Sequence, residues 1–186
     1  MIILASASPR RKQLLSQIVN DFKIIPSSID EESLITSKMN SMEIPEFLST
    51  KKALDILEKN PNDTIIASDT AIIFNNKIYG KPKNIEEAYD MLRAFSNNTH
   101  YVITGVCIAT KNKTISFTSK NEVTFYSLSD EEIKEYLTTK EYSDKAGAYA
   151  IQGKGVLLIK NIKGDYNSIV GLPISELNRI LKTFFN

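Results

Sequence analysis

Arg10 and Arg11 stand side by side in Ser6-Ala7-Ser8-Pro9-Arg10-Arg11, a run that joins two serine hydroxyls to two guanidinium groups. Of the 23 basic residues only four are Arg, so a pair of them is notable, because Arg offers a planar fork that Lys cannot copy. Ser8 is placed to cap a helix, with Pro9 at the first helical position, where its missing N–H costs nothing. Hydroxyls, a helix start and two guanidinium forks together suit a phosphate, and the segment reads as an anion cradle. The plain alternative is a routine helix start with exposed arginines. The chain has no glycine followed, after four intervening residues, by Gly-Lys-Ser/Thr, so a P-loop is not the vehicle.

Asp69 interrupts an apolar run, TIIASDTAIIF, where an unpaired carboxylate would be costly to bury. It is expected at a strand end or in a cleft, where it could activate a water or hold the divalent cation that a triphosphate brings. The alternative is a solvent-facing turn between two strands. Lys51 and Lys52 fall mid-helix: Lys51 can pair with Asp55 at i+4, while Lys52 lies between Leu48 and Ile56 on a partly apolar face, as a snorkelling lysine would. Lys81, between Gly80 and Pro82, is held on stiff backbone just past a hairpin, or is only part of a turn. Five of the seven glycines fall within residues 147 to 171, which allows close backbone approach to a ligand or simply a series of tight turns. Gln152 is the amide in that stretch able to read a base edge by donating and accepting together.

These residues need elements to hold them. Residues 2 to 5 read as a strand, followed by a tight loop and the helix that Ser8 caps, and residues 22 to 25 as another strand. Residues 27 to 33 read as loop and 43 to 59 as a helix ending before Pro61. Residues 64 to 67 and 71 to 74 read as strands, with Asn75-Asn76 as a hairpin turn. A helix over 84 to 95 starts at an Asn84…Glu87 pairing that resembles a capping box. Residues 101 to 109 and 114 to 126 form a β-hairpin, Ser129…Glu132 caps a further helix, residues 156 to 159 read as a strand, and Pro173 opens the last helix. The mixture of βα units with an antiparallel hairpin predicts an α/β domain with a mixed sheet, one domain over residues 1 to 186 without an evident linker.

Composition excludes other classes. The 186 residues carry 23 basic and 22 acidic side chains, a formal charge of +1, so no basic field exists to hold a nucleic-acid backbone. No run of 18 apolar residues occurs, and the apolar start precedes its charges, the reverse of a secretory signal; no membrane association is expected. One cysteine, Cys107, and one histidine, His100, leave no intrachain disulfide or Cys/His metal centre, and a cytoplasmic setting is the expectation. Cys107 reads as a buried strand residue, His100 as a strand-edge residue, and Tyr149 as an aromatic that could stack on a base.

The chain resembles the Maf family of nucleoside-triphosphate pyrophosphatases through seven blocks in the family's order: LASASPRRKQLL, ASDTAIIF, YGKP, EAYDML, THYVITGV, DKAGAYAIQGKG and GDYNSIVGLP. The resemblance implies hydrolysis of a nucleoside triphosphate between its α and β phosphates with a divalent cation, Mg²⁺ first and Mn²⁺ or Co²⁺ as alternatives. It puts the catalytic base on Asp69, and phosphate- and metal-handling on Arg11, Glu31, Lys52 and Lys81. It puts the selectivity of the dTTP- and UTP-preferring branch on Arg10, Thr70 and Gln152; the 7-methyl-GTP branch differs at those places. Asp30 and Glu32 flank Glu31, and a one-residue slip would exchange the ligand. The implied fold is an elongated mixed β-sheet flanked by helices, with two lobes around a central cleft, usually as a homodimer. The family's name also leaves a nucleotide-binding regulator with a cell-division protein partner as an alternative to the enzyme. Asn97-Asn98 and Asn75-Asn76 replace glycine-containing turns, a role Asn tolerates.

Overall fold

The computed structural model describes residues 1–184, so the last two positions of the expected 1–186 domain lie outside the described residues. Seven strands, β1 (Ile2–Leu4), β2 (Phe22–Ile24), β3 (Thr64–Phe74), β4 (Lys77–Tyr79), β5 (Thr99–Ala109), β6 (Thr114–Phe125) and β7 (Ile159–Lys163), form one mixed sheet. Its order is β2-β1-β3-β5-β6-β7, with β4 paired to β3. β1 runs parallel to β2 and β3, whereas β4 and β7 pair antiparallel with β3 and β6. The helices are α1 (Pro9–Leu15), α2 (Glu31–Leu34), α3 (Ile44–Lys59), α4 (Ile85–Phe95), α5 (Asp130–Thr138), α6 (Tyr166–Val170) and α7 (Ile174–Phe184). The expected mixed α/β architecture is thus present.

The described residues fold as two compact units, one of residues 1–70, 104–119 and 165–184, the other of 71–103 and 120–164. Each is assembled from separate stretches of sequence, so no Pro- or Gly-rich linker marks a boundary. In the first unit, Ile3 and Ala5 of the β1 segment, Ile65 and Ala67 of β3, and Cys107 and Ala109 of β5 pack on Ala53 and Ile56 of α3. Cys107 is fully buried there, as expected, and burial raises its thiol pKa to about 11. Gly105 lets α3 start on the sheet: a Cβ there would collide with the backbone of Pro45 and Glu46. The carboxylate of Glu46 in turn accepts from the hydroxyls of Ser116 at 2.6 Å and Thr118 at 2.5 Å on β6.

The second unit is built around aromatic rings. Phe95 stacks on His100 with centroids 4.3 Å apart, and Phe125 and Tyr149 close the cluster edge-on. His100 is the second residue of β5, beside the strand's end as expected. It is fully buried, its Nε2 shares a 2.6 Å hydrogen bond with the Tyr149 hydroxyl, and burial lowers its pKa to about 3. Tyr149, buried in the same cluster, has no face free for a base. The Asn75-Asn76 turn joins β3 to β4 with both residues at positive φ, as expected. Asn84 caps α4 by accepting from the Glu87 N–H, but the Glu87 carboxylate returns to the Lys83 N–H; the full capping box is that of Ser129 and Glu132 on α5.

Three other expectations are corrected. Residues 154–158 form a 3₁₀ turn, and the strand expected from 156 begins only at Ile159; Gly155 lies so close to Ala150 that a Cβ would strike its carbonyl. Residues 27 to 33 are not all loop, since Asp30 caps the short helix α2. Lys51 does not pair with Asp55; its ammonium sits over the Phe47 ring, 5.3 Å from the centroid, and Asp55 bonds Lys59 instead.

Candidate active site

Two adjacent positions of β3 build the site, and strand geometry sends them to opposite faces. The pairing of β1 with β3 ends at Leu4 and Ile66, with a last bond from the Ala5 N–H to the Ile66 carbonyl at 2.8 Å. Residues 67 to 70 thus run past the carboxyl end of β1, the crevice where open α/β sheets bind ligands. Ile65 and Ala67 face α3, so the period of two places Asp69 on that face and Ser68 and Thr70 on the other. Asp69 is not at a strand end or in a turn: β3 is continuous from Thr64 to Phe74.

On the α3 face Lys52 resolves the cost of burying Asp69. Its Nζ lies 2.6 Å from Asp69 Oδ1 and 2.9 Å from Glu31 Oε1. Lys52 and Asp69 are only 11% and 13% exposed, against 46% for Glu31. Lys52 therefore does not snorkel; it is the shared cation of two carboxylates, with Glu31 on the solvent side. Asp69 Oδ2 has no partner among the described residues. Glu31 arrives because the preceding loop is tied to α3. Asp55 Oδ2 accepts from the Ser27 hydroxyl at 2.7 Å and the Ser28 N–H at 3.2 Å. The Lys59 and Ser27 bonds hold the Asp55 carboxyl below the usual carboxylate range. Asp30 is spent as the cap of α2, accepting from the Ser33 N–H, so it is Glu31 that meets Lys52.

On the opposite face Arg11 is gripped by uncharged oxygens. Its Nε donates to the Gly171 carbonyl at 3.0 Å, Nη1 to Ser6 Oγ at 3.3 Å and Nη2 to Thr70 Oγ1 at 3.2 Å. Ser68 Oγ donates to the same Gly171 carbonyl at 2.9 Å. Gly171, at φ 136°, occupies backbone space that favours glycine, and its open side faces Arg11. No carboxylate among the described residues lies within ion-pair distance of Arg11. Burial lowers its pKa, Asp69 and Glu31 act against that shift, and Arg10 adds to it.

Ser8 is the N-cap of α1, its Oγ accepting from the Arg11 N–H at 3.4 Å, with Pro9 at the first helical position. Arg10 is half-buried beside it. Glu31, Lys52, Asp69, Thr70, Arg11 and Ser8 all belong to the first unit, whereas Lys81 and Gln152 belong to the second, where both are exposed. Sequence reasoning missed Ser68, Thr104, Ser168 and Gly171. They act through hydroxyls and carbonyls that carry no charge, and only the crowding of glycines near residue 171 hinted at one of them.

The donor set fits a hard divalent cation in one particular way. Two carboxylates, Glu31 and Asp69, meet at the Lys52 ammonium with one oxygen each engaged there, and among the described residues no group of three or more His, Cys, Asp or Glu side chains could hold a metal unaided. Mg²⁺ is commonly held so, by one or two carboxylates plus substrate phosphates.

The framework defines the class first. The Staphylococcus aureus Ham1 protein superposes with a TM-score of 0.56 over 98% of each chain at 14% identity. A HAM1 protein from Coxiella burnetii gives 0.54 over 98% of each at 12%. These likenesses place the chain in that α/β fold. The family described as Maf-like protein matches residues 1–184. The dTTP/UTP pyrophosphatase of Bacillus cereus (strain G9842) is 46% identical over 183 residues, 98% of this chain and 95% of that one. The dTTP/UTP pyrophosphatase of Bacillus mycoides (strain KBAB4) is 45% identical over the same shares. The chain belongs to the Maf family.

Proposed function

We propose that this protein hydrolyses nucleoside triphosphates, dTTP and UTP first among them, to the monophosphate and pyrophosphate. The observation that carries the reading is the contact of Lys52 with both Asp69 and Glu31 past the carboxyl end of β1, with Arg11 on the far side of the same strand. The names of the Bacillus relatives support the substrate.

In this mechanism Asp69 is the general base. Lys52 holds Oδ1, which leaves Oδ2 to orient a water and take its proton as the water oxygen bonds to the α-phosphorus. The bridging oxygen between the α and β phosphates departs with pyrophosphate. Arg11 and Lys81 offset the charge on that leaving group, with Ser8 beside Arg11, so positioning and charge neutralisation supply most of the acceleration. Glu31 and Asp69 would hold the divalent cation, Mg²⁺ in this reading, whose chemistry is to gather and neutralise the triphosphate oxygens. Arg10 and Gln152 select the pyrimidine, and Thr70, whose hydroxyl is taken up by Arg11 and Thr104, acts on that choice by holding Arg11. The family resemblance supports a cytoplasmic homodimer that removes surplus or modified pyrimidine triphosphates.

A panel of nucleoside triphosphates assayed for pyrophosphate release tests the reading. Release should be fastest from dTTP and UTP. Release of inorganic phosphate alone, or no turnover of any nucleotide, would overturn it.

A further inference from the structure

Arg11 has five N–H donors, and three of them are spent on neutral acceptors: Gly171 O, Ser6 Oγ and Thr70 Oγ1. The hydroxyl of Thr70 can serve as an acceptor only if its own hydrogen points elsewhere. Thr70 Oγ1 lies 2.9 Å from Thr104 Oγ1, and either oxygen could in principle donate. Thr104 Oγ1 is also 2.8 Å from the carbonyl of Ser168, which can only accept. The single hydrogen of Thr104 is therefore committed to Ser168, the hydrogen of Thr70 to Thr104, and the lone pairs of Thr70 to Arg11. Thr104 and Ser168 are fully buried, so water does not take over either place.

We infer that Thr104 is a positioning residue, which fixes the hydrogen-bond polarity of Thr70 and so presents the Arg11 guanidinium, with two N–H donors uncommitted, to the phosphates of a nucleotide. The order of donation runs from Arg11 to Thr70, to Thr104, to the Ser168 carbonyl. Reversed at Thr70, it would turn a hydroxyl hydrogen toward a cation and loosen the guanidinium. Ser68 steadies the other end of the fork, by donating to the Gly171 carbonyl that receives Arg11 Nε. Thr104 itself makes no contact with Arg11, and its effect is transmitted only through Thr70. The inference rests on the proposed function for its triphosphate but not for its anion.

The test compares Thr104→Val, which keeps the shape and removes both hydrogen bonds, with Thr104→Ser, which keeps the hydroxyl. Steady-state constants for dTTP, calorimetric binding of inorganic pyrophosphate and melting temperature are measured for each in the full chain. Thr104→Val should raise KM for dTTP and Kd for pyrophosphate about 10-fold or more, as loss of a hydrogen bond to a charged group does, and should lower kcat as well, because Arg11 is set against the charge of the leaving group. Thr104→Ser should restore both constants. In an Arg11→Lys background, which lacks the fork, Thr104→Val should add less than about twofold. Should the valine variant not fold, Thr104→Ala carries the same comparisons. A fall in melting temperature with KM and Kd unchanged would overturn the inference, as would equal effects of Val and Ser or a full 10-fold effect in the Arg11→Lys background. Wild-type protein that binds pyrophosphate through Arg11 and Thr104 but turns over no nucleotide would sink the proposed function and leave this inference standing. Wild-type protein that releases pyrophosphate from dTTP but binds no pyrophosphate would overturn the inference and leave the proposed function standing.

Discussion

Lys52 Nζ sits 2.6 Å from Asp69 Oδ1, joining the middle of α3 to the middle of β3 across the sheet face. Both side chains are close to nine-tenths covered, and that one contact holds the acid that interrupts an apolar strand in a fixed orientation. Glu31 completes the arrangement from the solvent side.

Asp69→Asn removes the proposed proton acceptor while keeping the shape. Turnover of dTTP should fall by roughly 10²- to 10⁴-fold, with a circular dichroism spectrum and oligomeric state like those of the wild type. Turnover within a few-fold of wild type would take Asp69 out of the base role.

Lys52→Met leaves the mostly covered Asp69 carboxylate without its cation. Removing one partner of a buried ion pair costs about 3–5 kcal/mol, and the residual exposure here brings the expected loss nearer to about 2 kcal/mol by denaturant unfolding. The double variant Lys52→Met/Asp69→Asn should regain part of that stability, because no charge is left stranded. Additive losses would show that the two side chains do not depend on each other.

These relationships are partly legible in the sequence. Ser8, Pro9, Asn84 and Ser129 announce their helices because a cap is a local device, written within four residues of sequence. Asp69 and Lys52 were visible as anomalies, a carboxylate in an apolar strand and a lysine on a partly apolar helix face. Their mutual contact was not, because it depends on how α3 crosses β3, which Gly105 sets from a third element. Asp55 chose Lys59 over Lys51 for a similar reason: Ser27 and Ser28 pull its carboxylate toward the loop before α2. The grip on Arg11 lay beyond reach, since Thr104, Ser168 and Gly171 contribute a hydroxyl and two carbonyls from distant parts of the chain.

His100 gives the fold an acid limit. Its pKa falls to about 3 in the folded protein, whereas about 6.5 is usual for an unfolded chain. Between these values the unfolded state binds more protons, so stability rises with pH there. The contribution of the neutral ring is complete above pH 6.5 and is lost as pH falls toward 3, by up to about 1.4 kcal/mol per pH unit. His100→Phe, which keeps the stack on Phe95, should flatten this part of the stability profile. An unchanged slope between pH 6 and pH 4 would contradict the assignment.

Hydrolysis of dTTP in ¹⁸O-labelled water tests most directly whether water attacks the α-phosphorus. One ¹⁸O atom should appear in the phosphate of dTMP and none in the pyrophosphate. Label in the pyrophosphate with unlabelled dTMP would mean attack at the β-phosphorus, and would contradict the proposed chemistry of this site.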